Sequence, residues 1–477
     1  MIELQKLLFF SGLLLIILCQ TSYGQGECAK VPSESVPNRK VIISDLHLGA
    51  GQIKATKTWD PLEDFRFPDT FKRFLTLIGQ HGQTDLIIAG DFIDFWQILP
   101  ELDRARQPSL GSSEEESLAK LEVALAGHKD TFAVLSQFAR IGKNKLIIIP
   151  GNHDVDLFWP KVQARLQAEL GVKLNQKLFF TTSCYQSEGV YVEHGNQYDE
   201  ANRFANRNAP FVSLAGKRRL QTNWGTVFMS RFYNELEEQR PFIDNLYSEK
   251  AAIIWALQNE SAQAFSLPQA GRFLLMITKD QDALAQLKLT IRTLGPEDAP
   301  PKVLEKNIDN LLKLYEGADP ELANSLRSLL SDKQTRKEAE LALRELSDEE
   351  WRALQAGIIK TPRTETLGNL LLRRDPIVQG ARKIVLRSPD VDIVVMGHTH
   401  DIERTEITRL TETGPKDKWY VNTGCWQKML PVSDVKGKKK WAELNLDDPM
   451  FRLRFSYVVV DYEGTRPLKP TRSFWIE

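Results

Sequence analysis

The chain has 477 residues, and 62 lysines and arginines against 63 aspartates and glutamates give it a formal net charge of −1 at pH 7. This balance excludes the basic surplus of a nucleic-acid-binding protein, so no nucleic-acid partner is expected. With 42% hydrophobic residues, the chain is long enough for one large core or about three average domains.

The first predicted element is a signal peptide over residues 1–24. Lys6 precedes a mainly apolar stretch over residues 7–19, and small residues follow at Ser22 and Gly24. This pattern is typical of a secretory signal, and the stretch is shorter than the roughly 20 residues of a membrane-spanning helix. We therefore expect a secreted or periplasmic protein. The alternative is a protein anchored in the membrane by an uncleaved signal.

Beyond that segment the chain has three cysteines, Cys28, Cys184 and Cys425. An odd number allows at most one disulfide bridge and leaves one thiol free. The chain is therefore no disulfide scaffold, and packing must hold its core.

Residues 38–202 alternate apolar, strand-like runs with helical stretches. Strand-like runs begin at Lys40, Asp85 and Lys145, and residues 71–78 and 118–138 are amphipathic enough to form crossover helices. This alternation predicts an α/β domain with parallel strands that are buried on both faces.

Residues 203–385 contain many helical segments and almost no strand-like run, whereas strand-like runs return in residues 386–477. We predict one α/β domain interrupted by a helical insertion, which leaves beside His194 and returns before His398. The insertion is the expected source of specificity. It could be a lid with an apolar face at Phe228, Phe232 and residues 253–255, which would also allow peripheral membrane contact; the alternative is a separate core without substrate contact.

Five of the seven histidines fall within a set of short motifs that close strand-like runs. The motifs are Asp45-Leu-His47, Gly90-Asp91, Gly151-Asn152-His153-Asp154, His194-Gly195 and Gly397-His398-Thr-His400. Ligands of open α/β sheets bind beyond the carboxyl ends of the strands, and histidine is the commonest metal ligand. Each motif alone could be a turn or a helix cap, but together they predict a metal site.

The spacing within two motifs suggests how their side chains point. Asp45 and His47 are two residues apart, so an extended backbone would point both side chains the same way. His398 and His400 have the same strand spacing.

Together with Gly90-Asp91-x-x-Asp94, these motifs resemble the complete signature of the calcineurin-like metallophosphoesterases. The resemblance covers residues 40–200 and 390–426. It implies a four-layer αββα sandwich of two mixed β-sheets with a dinuclear metal centre at the sheet edge. One ion would be held by Asp45, His47 and His400, the other by Asn152, His194 and His398, and Asp91 would bridge the two.

The predicted chemistry follows from these donors. Carboxylate, imidazole and amide ligands suit two divalent ions of Mn, Fe, Zn or Co. Such a pair can activate a bridging hydroxide for in-line attack on phosphorus. His153 is then the predicted catalytic group that protonates the leaving oxygen, with Asp154 near enough to orient it. Asp94 and Asp154 are expected to fix the ligands by hydrogen bonds, unless they are simple turn residues.

We therefore predict a metal-dependent phosphoester hydrolase that acts on a phosphorylated small molecule or a lipid-like phosphoester. The motif wording is closest to the UDP-2,3-diacylglucosamine pyrophosphohydrolases. The chain departs from that branch in having His153 where arginine is usual, in its predicted export and in its long insertion. A non-catalytic binding protein with the same fold is the alternative, although no ligand has been lost.

Two histidines and two tryptophans complete the predictions. His81 and His128 belong to no motif, and both are expected on the surface without a catalytic role. Trp96 and Trp426 follow the second and last motifs. Each is predicted to be a packing residue at the rim of the site rather than a substrate stacker.

Overall fold

The computed structural model describes residues 28, 37–53, 55–80, 83–98, 111–199, 202–214, 216–223, 225–226, 229–247, 307–318, 323–324, 327, 330–331, 333, 336–337, 340, 376–400, 407–410, 417–435, 438–446, 448–453 and 455–475. The predicted signal peptide, His81, Phe228 and residues 253–255 lie outside this set, as does the side chain of Phe232. Within it, no helix combines the length and the apolar character needed to cross a membrane.

The described strands are β1 Arg39–Ile43, β2 Thr84–Ala89, β3 Lys145–Ile149, β4 Leu178–Phe180, β5 Cys184–Ser187, β6 Val190–Glu193, β7 Phe211–Leu214, β8 Lys217–Leu220, β9 Leu246–Tyr247, β10 Ile393–Met396, β11 Thr408–Arg409, β12 Trp419–Asn422, β13 Lys428–Pro431, β14 Arg452–Leu453, β15 Phe455–Glu463, β16 Arg466–Pro467 and β17 Thr471–Trp475. The described α-helices are α1 Pro68–Gly79, α2 Glu114–Gly127, α3 Lys129–Arg140, α4 Pro160–Leu170, α5 Asn234–Gln239, α6 Ile308–Ala318, α7 Pro376–Arg387 and α8 Val432–Val435. Short 3₁₀ or π turns lie at Val155–Phe158, Asn196–Tyr198, Met229–Tyr233 and Trp441–Glu443.

The first sheet has the strand order β16-β15-β1-β2-β3-β4, with β17 also paired to β15. Strands β1 to β4 are parallel, and Ile42, Ile87 and Ile147 lie side by side in register. Strand β15 joins β1 in the antiparallel direction. The predicted parallel strands are confirmed, and their continuous apolar runs are explained by burial on both faces.

The second sheet has the order β11-β12-β10-β6-β5 and is also mixed. Strand β10 is parallel to both β12 and β6, whereas β5 and β11 are antiparallel to their neighbours. Side chains of the two sheets meet in one buried layer, in which Ile87 and Val458 of the first sheet share a cluster with Val192 and Val395 of the second.

Helices cover the outer faces of both sheets. Helices α1 to α4 pack on the first sheet, where Phe74 and Leu135 join the cluster of Ile88. Helix α7 packs on the second sheet, where Ile384 joins the cluster of Val394. This arrangement is the αββα sandwich, so the predicted fold class is confirmed.

The predicted crossover over residues 118–138 is two helices, α2 and α3, with His128 at their junction. His128 is only 4% exposed, so its predicted surface position is wrong. Its Nε2 lies 3.0 Å from Glu63 Oε2, and the same carboxylate oxygen accepts a hydrogen bond from Gly51 N. His128 therefore helps to fix the loop that follows the first motif.

The described start of the predicted insertion is not all helical. Strands β7 and β8 form an antiparallel hairpin, and β9 pairs with β13 of the second part of the domain. Asn234 Nδ2 donates a hydrogen bond to Trp96 O. Residues 229–247 therefore pack against the α/β domain beside the second motif. At the other end of the predicted insertion, α7 belongs to the sandwich itself.

Cys28 and Cys184 form a disulfide bridge that joins the chain before β1 to β5, the edge strand of the second sheet. Cys425 is a buried free thiol. This agrees with the prediction of at most one bridge and one free cysteine.

Candidate metal centre

The predicted motifs meet where the two sheets face each other. Asp45 and Asp91 follow β1 and β2, and the backbone N–H of Asp45 donates to Gly90 O over 3.1 Å. On the second sheet, Gly397 N donates to His194 O over 2.8 Å. The carboxyl ends of β1, β2, β3, β6 and β10 therefore bring all the predicted ligands to one edge of the sandwich.

The ligand loops leave their strands in a left-handed conformation. Five predicted ligands have positive φ angles: Asp45 at 54°, His47 at 49°, Asp91 at 49°, His398 at 75° and His400 at 48°. The expectation of an extended backbone in the first and last motifs is therefore wrong, although both pairs of side chains still reach the site. Such residues cost about 1–3 kcal/mol each and persist only where the surroundings enforce them.

Two glycines make room for the carboxylates. A Cβ atom on Gly151 would overlap with the carboxylate of Asp91, and one on Gly397 would overlap with Ser44 and Asp45. These positions require glycine because backbone of one loop lies directly against a ligand of another.

The first group of predicted ligands consists of Asp45, His47 and His400, whose donor atoms all lie within 4.8 Å of one another. His400 Nε2 lies 3.1 Å from Asp45 Oδ1 and 3.1 Å from His47 Nε2. Two imidazole nitrogens this close need a proton or a cation between them.

The second group consists of Asp91, His194 and His398, also within 4.8 Å of one another. His194 Nε2 lies 2.9 Å from Asp91 Oδ2 and 3.1 Å from Asn152 Oδ1. Asn152 is therefore in place beside this group, as predicted.

Asp91 also faces the first group, because its Oδ2 is 3.8 Å from His47 Nε2.

The pKa values of the site reflect the close approach of acids and imidazoles. Burial alone would raise the pKa of Asp91, but His194 and His153 outweigh it and hold the pKa well below its ordinary value. Burial would likewise lower the pKa of His194, but Asp91 and Asp45 raise it to about 9. The donor set of carboxylate, imidazole and amide thus fits divalent cations, which would replace protons here.

Residues 39–266 match the family model of the calcineurin-like phosphoesterases. The chain carries a calcineurin-like phosphoesterase domain. No curated protein matches the chain. The matched range ends before His398 and His400, so the geometry described above is what joins these two histidines to the phosphoesterase site.

Three histidines of the phosphoesterase site are oriented by a hydrogen bond from one ring nitrogen. His47 Nδ1 lies 2.7 Å from Asp94 Oδ2, and His194 Nδ1 lies 2.9 Å from Ala89 O. His398 Nε2 lies 3.0 Å from Asp199 Oδ2. In each case the other nitrogen is left for an ion, which is how metal-binding histidines are usually held.

His153 lies against Asp94 rather than against Asp154. Its Nδ1 is 2.7 Å from Asp94 Oδ2, the oxygen that also contacts His47. Burial alone would lower the pKa of His153, but Asp94 and Asp91 raise it to about 10. His153, His47 and Asp91 also lie within 4.8 Å of one another, so distance alone allows His153 as a ligand.

Asp154 was predicted to orient His153, and this is wrong. Its oxygens instead accept hydrogen bonds from the backbone N–H groups of Gly151, at 2.5 Å, and Phe92, at 2.8 Å. Burial and the charge of Asp91 raise the pKa of Asp154 to about 7. Asp154 is therefore a positioning residue that ties the third motif to the second.

The two tryptophans are both packing residues, as predicted, but in different places. The Trp96 ring lies on His153, with ring centroids 4.1 Å apart and planes at 31°. Trp426 is fully buried among Phe71, Phe74 and Phe455, so it lies in the core rather than at the rim.

Sequence reasoning missed Asp199. This residue follows the turn Asn196–Tyr198, and its carboxylate accepts a hydrogen bond from Asn202 Nδ2 over 2.7 Å. Asn202 in turn accepts from Asn152 Nδ2 over 3.4 Å. Nothing in the spacing of Asp199 from His194 marked it, because its partner His398 lies 199 positions away in sequence.

Proposed function

We propose that the protein is an exported phosphoester hydrolase that binds two divalent cations at this site. Asp45, His47 and His400 would hold one ion, and Asn152, His194 and His398 the other. The observation that carries the proposal is the position of Asp91. Its Oδ2 faces His194 Nε2 at 2.9 Å and His47 Nε2 at 3.8 Å, so one carboxylate serves both groups.

When bound, two such cations supply a hydroxide at neutral pH and polarise the phosphoryl oxygens. The protein's own residues supply proton transfer and orientation. Because Asp94 engages His153 Nδ1, Nε2 is the nitrogen left to face a substrate. His153 is 13% exposed, and the Trp96 ring restricts its rotation.

His153 has the protonation state that an acid catalyst needs. Its pKa is raised to about 10, so it carries a proton at neutral pH and can give it to the leaving oxygen. Two dications nearby would lower this pKa and make the proton easier to transfer.

Export is supported by the Cys28–Cys184 bridge, because structural disulfides persist in oxidising compartments. It is consistent with the signal-peptide pattern of residues 1–24. Both features favour a secreted or periplasmic location.

The proposed substrate is a phosphorylated small molecule or a lipid-like phosphoester. The described start of the insertion lies beside the site, where Asn234 contacts Trp96, so this segment is placed to influence which substrates enter. The competing function is a binding protein that retains the fold. Retention of every predicted ligand and of His153 favours the enzyme.

The test is hydrolysis of p-nitrophenyl phosphate and of its bis ester by the full-length protein. Turnover should require Mn²⁺, fall to background after chelation and return when metal is restored. Asp91→Asn should abolish turnover and weaken both metal sites. Asp85→Asn is the matched control, because Asp85 is a buried carboxylate at the opposite end of β2.

Absence of turnover for both esters, with two metal ions bound, would overturn the enzyme proposal. Full activity of Asp91→Asn would refute the shared role of that carboxylate.

A further inference from the structure

A second cluster of acids lies beside the phosphoesterase site but belongs to neither ligand group. Asp64, Glu237 and Asp244 each offer a carboxylate oxygen within 4.8 Å of the others. We call these three residues the acidic pocket. Asp64 lies between β1 and α1, whereas Glu237 and Asp244 lie in and after α5, so the pocket joins the domain to the start of the insertion.

Two carboxamide side chains border the acidic pocket. Gln97 Nε2 donates to Glu237 Oε2 over 2.9 Å and to Asp244 Oδ2 over 2.8 Å. Asn245 Nδ2 donates to Asp64 Oδ1 over 3.2 Å. These two amides therefore hold the carboxylates of the pocket in place.

Three oxygen atoms of the pocket and its border are buried without a hydrogen-bond donor among the described residues. They are Asp64 Oδ2, Gln97 Oε1 and Glu237 Oε1. Asp64 is 4% exposed, Gln97 is 2% exposed and Glu237 is fully buried. Buried acceptors are normally satisfied, and a single water molecule can donate to only two of them.

The pKa values of two of these acids also show that the pocket disfavours uncompensated negative charge. Burial, together with the charges of Asp244 and Asp64, raises the pKa of Glu237 well above its ordinary value. Burial likewise raises the pKa of Asp64 to about 6, against the opposing charge of His47 and, more weakly, of Arg66. Arg66 directs its Nε to Glu63 O, over 2.8 Å.

We propose that the acidic pocket binds one Ca²⁺ ion. Three carboxylates without imidazole or thiolate form a donor set for a hard cation. Their spread of up to 4.8 Å is about twice the Ca²⁺–oxygen distance of about 2.4 Å. Mg²⁺ fits less well, because it keeps several water molecules and the pocket is buried.

Such an ion would hold the start of the insertion close to His153, the proposed acid catalyst. Gln97, which touches two of the acids, follows Trp96, and the Trp96 ring lies on His153. Asp94, which orients His153, receives hydrogen bonds from the backbone N–H groups of Trp96 and Gln97 over 3.0 and 3.1 Å. The pocket therefore supports the segment that positions His153.

The test uses the full-length Asp91→Asn variant, in which the two-metal site is disabled. After chelation, Ca²⁺ is added, and bound Ca²⁺ is measured by calorimetry and elemental analysis. We expect one equivalent of Ca²⁺ and a rise in Tm on saturation, because the ion binds the folded state. Adding Glu237→Gln should weaken Ca²⁺ binding about tenfold or more and remove the rise in Tm.

Asp64→Asn is the second variant, in case Glu237→Gln does not fold, and Asp85→Asn is the matched control that should keep the full equivalent. No bound Ca²⁺ in the Asp91→Asn protein would overturn the proposal and would leave Glu237 as a buried protonated acid. Unchanged Ca²⁺ binding in either pocket variant would also overturn it. None of these readouts depends on hydrolysis, so the proposal can fail or succeed independently of the proposed function.

Discussion

Two aspartates orient the histidines of the site from opposite sides. Asp94 is fully buried, and its Oδ2 lies 2.7 Å from Nδ1 of both His47 and His153. Asp199 has a side chain that is 37% exposed and lies 3.0 Å from His398 Nε2.

The histidines of the site differ in burial in the same way. We call the buried side of the site, with His47 and His194, the fixed side, and the more exposed side, with His398 and His400, the open side. His47 and His194 have side chains that are 3% and 1% exposed, whereas those of His398 and His400 are 10% and 20% exposed. Water screens charge interactions at the open side, and buried hydrogen bonds hold the other side in a preformed geometry. We infer that His47, after β1, and His194, after β6, are held from the interior, and that substrate enters past His398 and His400.

Among the substitutions that compare Asp94 with Asp199, the largest expected effect comes from His153→Ala, which removes a histidine that Asp94 orients. We expect kcat to fall about 10²- to 10⁴-fold while metal content holds, because the variant loses the acid that protonates the leaving oxygen. The loss should be greater for phenyl phosphate than for p-nitrophenyl phosphate, whose leaving group needs no proton.

The pH profile gives a second measurement of the role of His153. Activity of the native protein should fall as pH rises through the pKa of His153, and this decrease at alkaline pH should be absent in the variant. If the variant lost a metal ion instead, His153 would be a metal ligand rather than the acid.

Asp94→Asn should have the next largest effect. Asn has one carbonyl oxygen, whereas Asp94 accepts from two imidazoles on Oδ2 and from two backbone N–H groups on Oδ1. We expect metal affinity to fall about 10- to 100-fold, measured by competition with a chelator. Asp85→Asn provides the baseline for loss of a buried carboxylate. An affinity equal to that baseline would show that Asp94 does not hold the ligands.

Asp199→Asn should have the smallest effect, below about tenfold in metal affinity. Its amide oxygen can still accept a hydrogen bond from His398, and the interaction is partly screened by solvent. The same chelator competition, run at low and high salt, should show little further dependence on salt in the variant. A larger loss for Asp199→Asn than for Asp94→Asn would reverse the comparison between the two sides.

The motifs were sufficient to predict the sandwich, through their resemblance to a known family, and to predict which residues gather at one edge of it. Runs such as Ile147–Ile149 are buried on both faces, and a glycine followed by polar residues marked the end of several strands. The parallel strands placed these ends at one edge, so position in the chain was enough to predict which residues meet there, whereas their division between two ions came from the family resemblance.

Side-chain direction was not predictable in the same way. Asp154 is adjacent to His153 in sequence, but its carboxylate accepts hydrogen bonds from the backbone N–H groups of Gly151 and Phe92 instead. The left-handed φ of Asp45 and His47 was not predicted either, since residues other than glycine adopt it in only a few per cent of cases.

Partners that are distant in sequence also escaped prediction. His128 is buried because Glu63, which is 65 positions away, supplies a carboxylate. The acidic pocket has the same character, since Asp64 and Asn245 are 181 positions apart and neither lies in a motif.

The pairing of β1 has a consequence for the order in which the protein folds. On one side β1 pairs with β2, but on the other it pairs with β15, and the bond between Arg39 and Asp461 spans 422 positions. Strand β1, which leads to Asp45, therefore keeps an unpaired edge until almost the whole chain has been made. Contacts of such long range are slow to form, and an open strand edge invites aggregation. Because the bridge from Cys28 closes on β5, it can hold the early strands together while the last histidines and β15 are still to come.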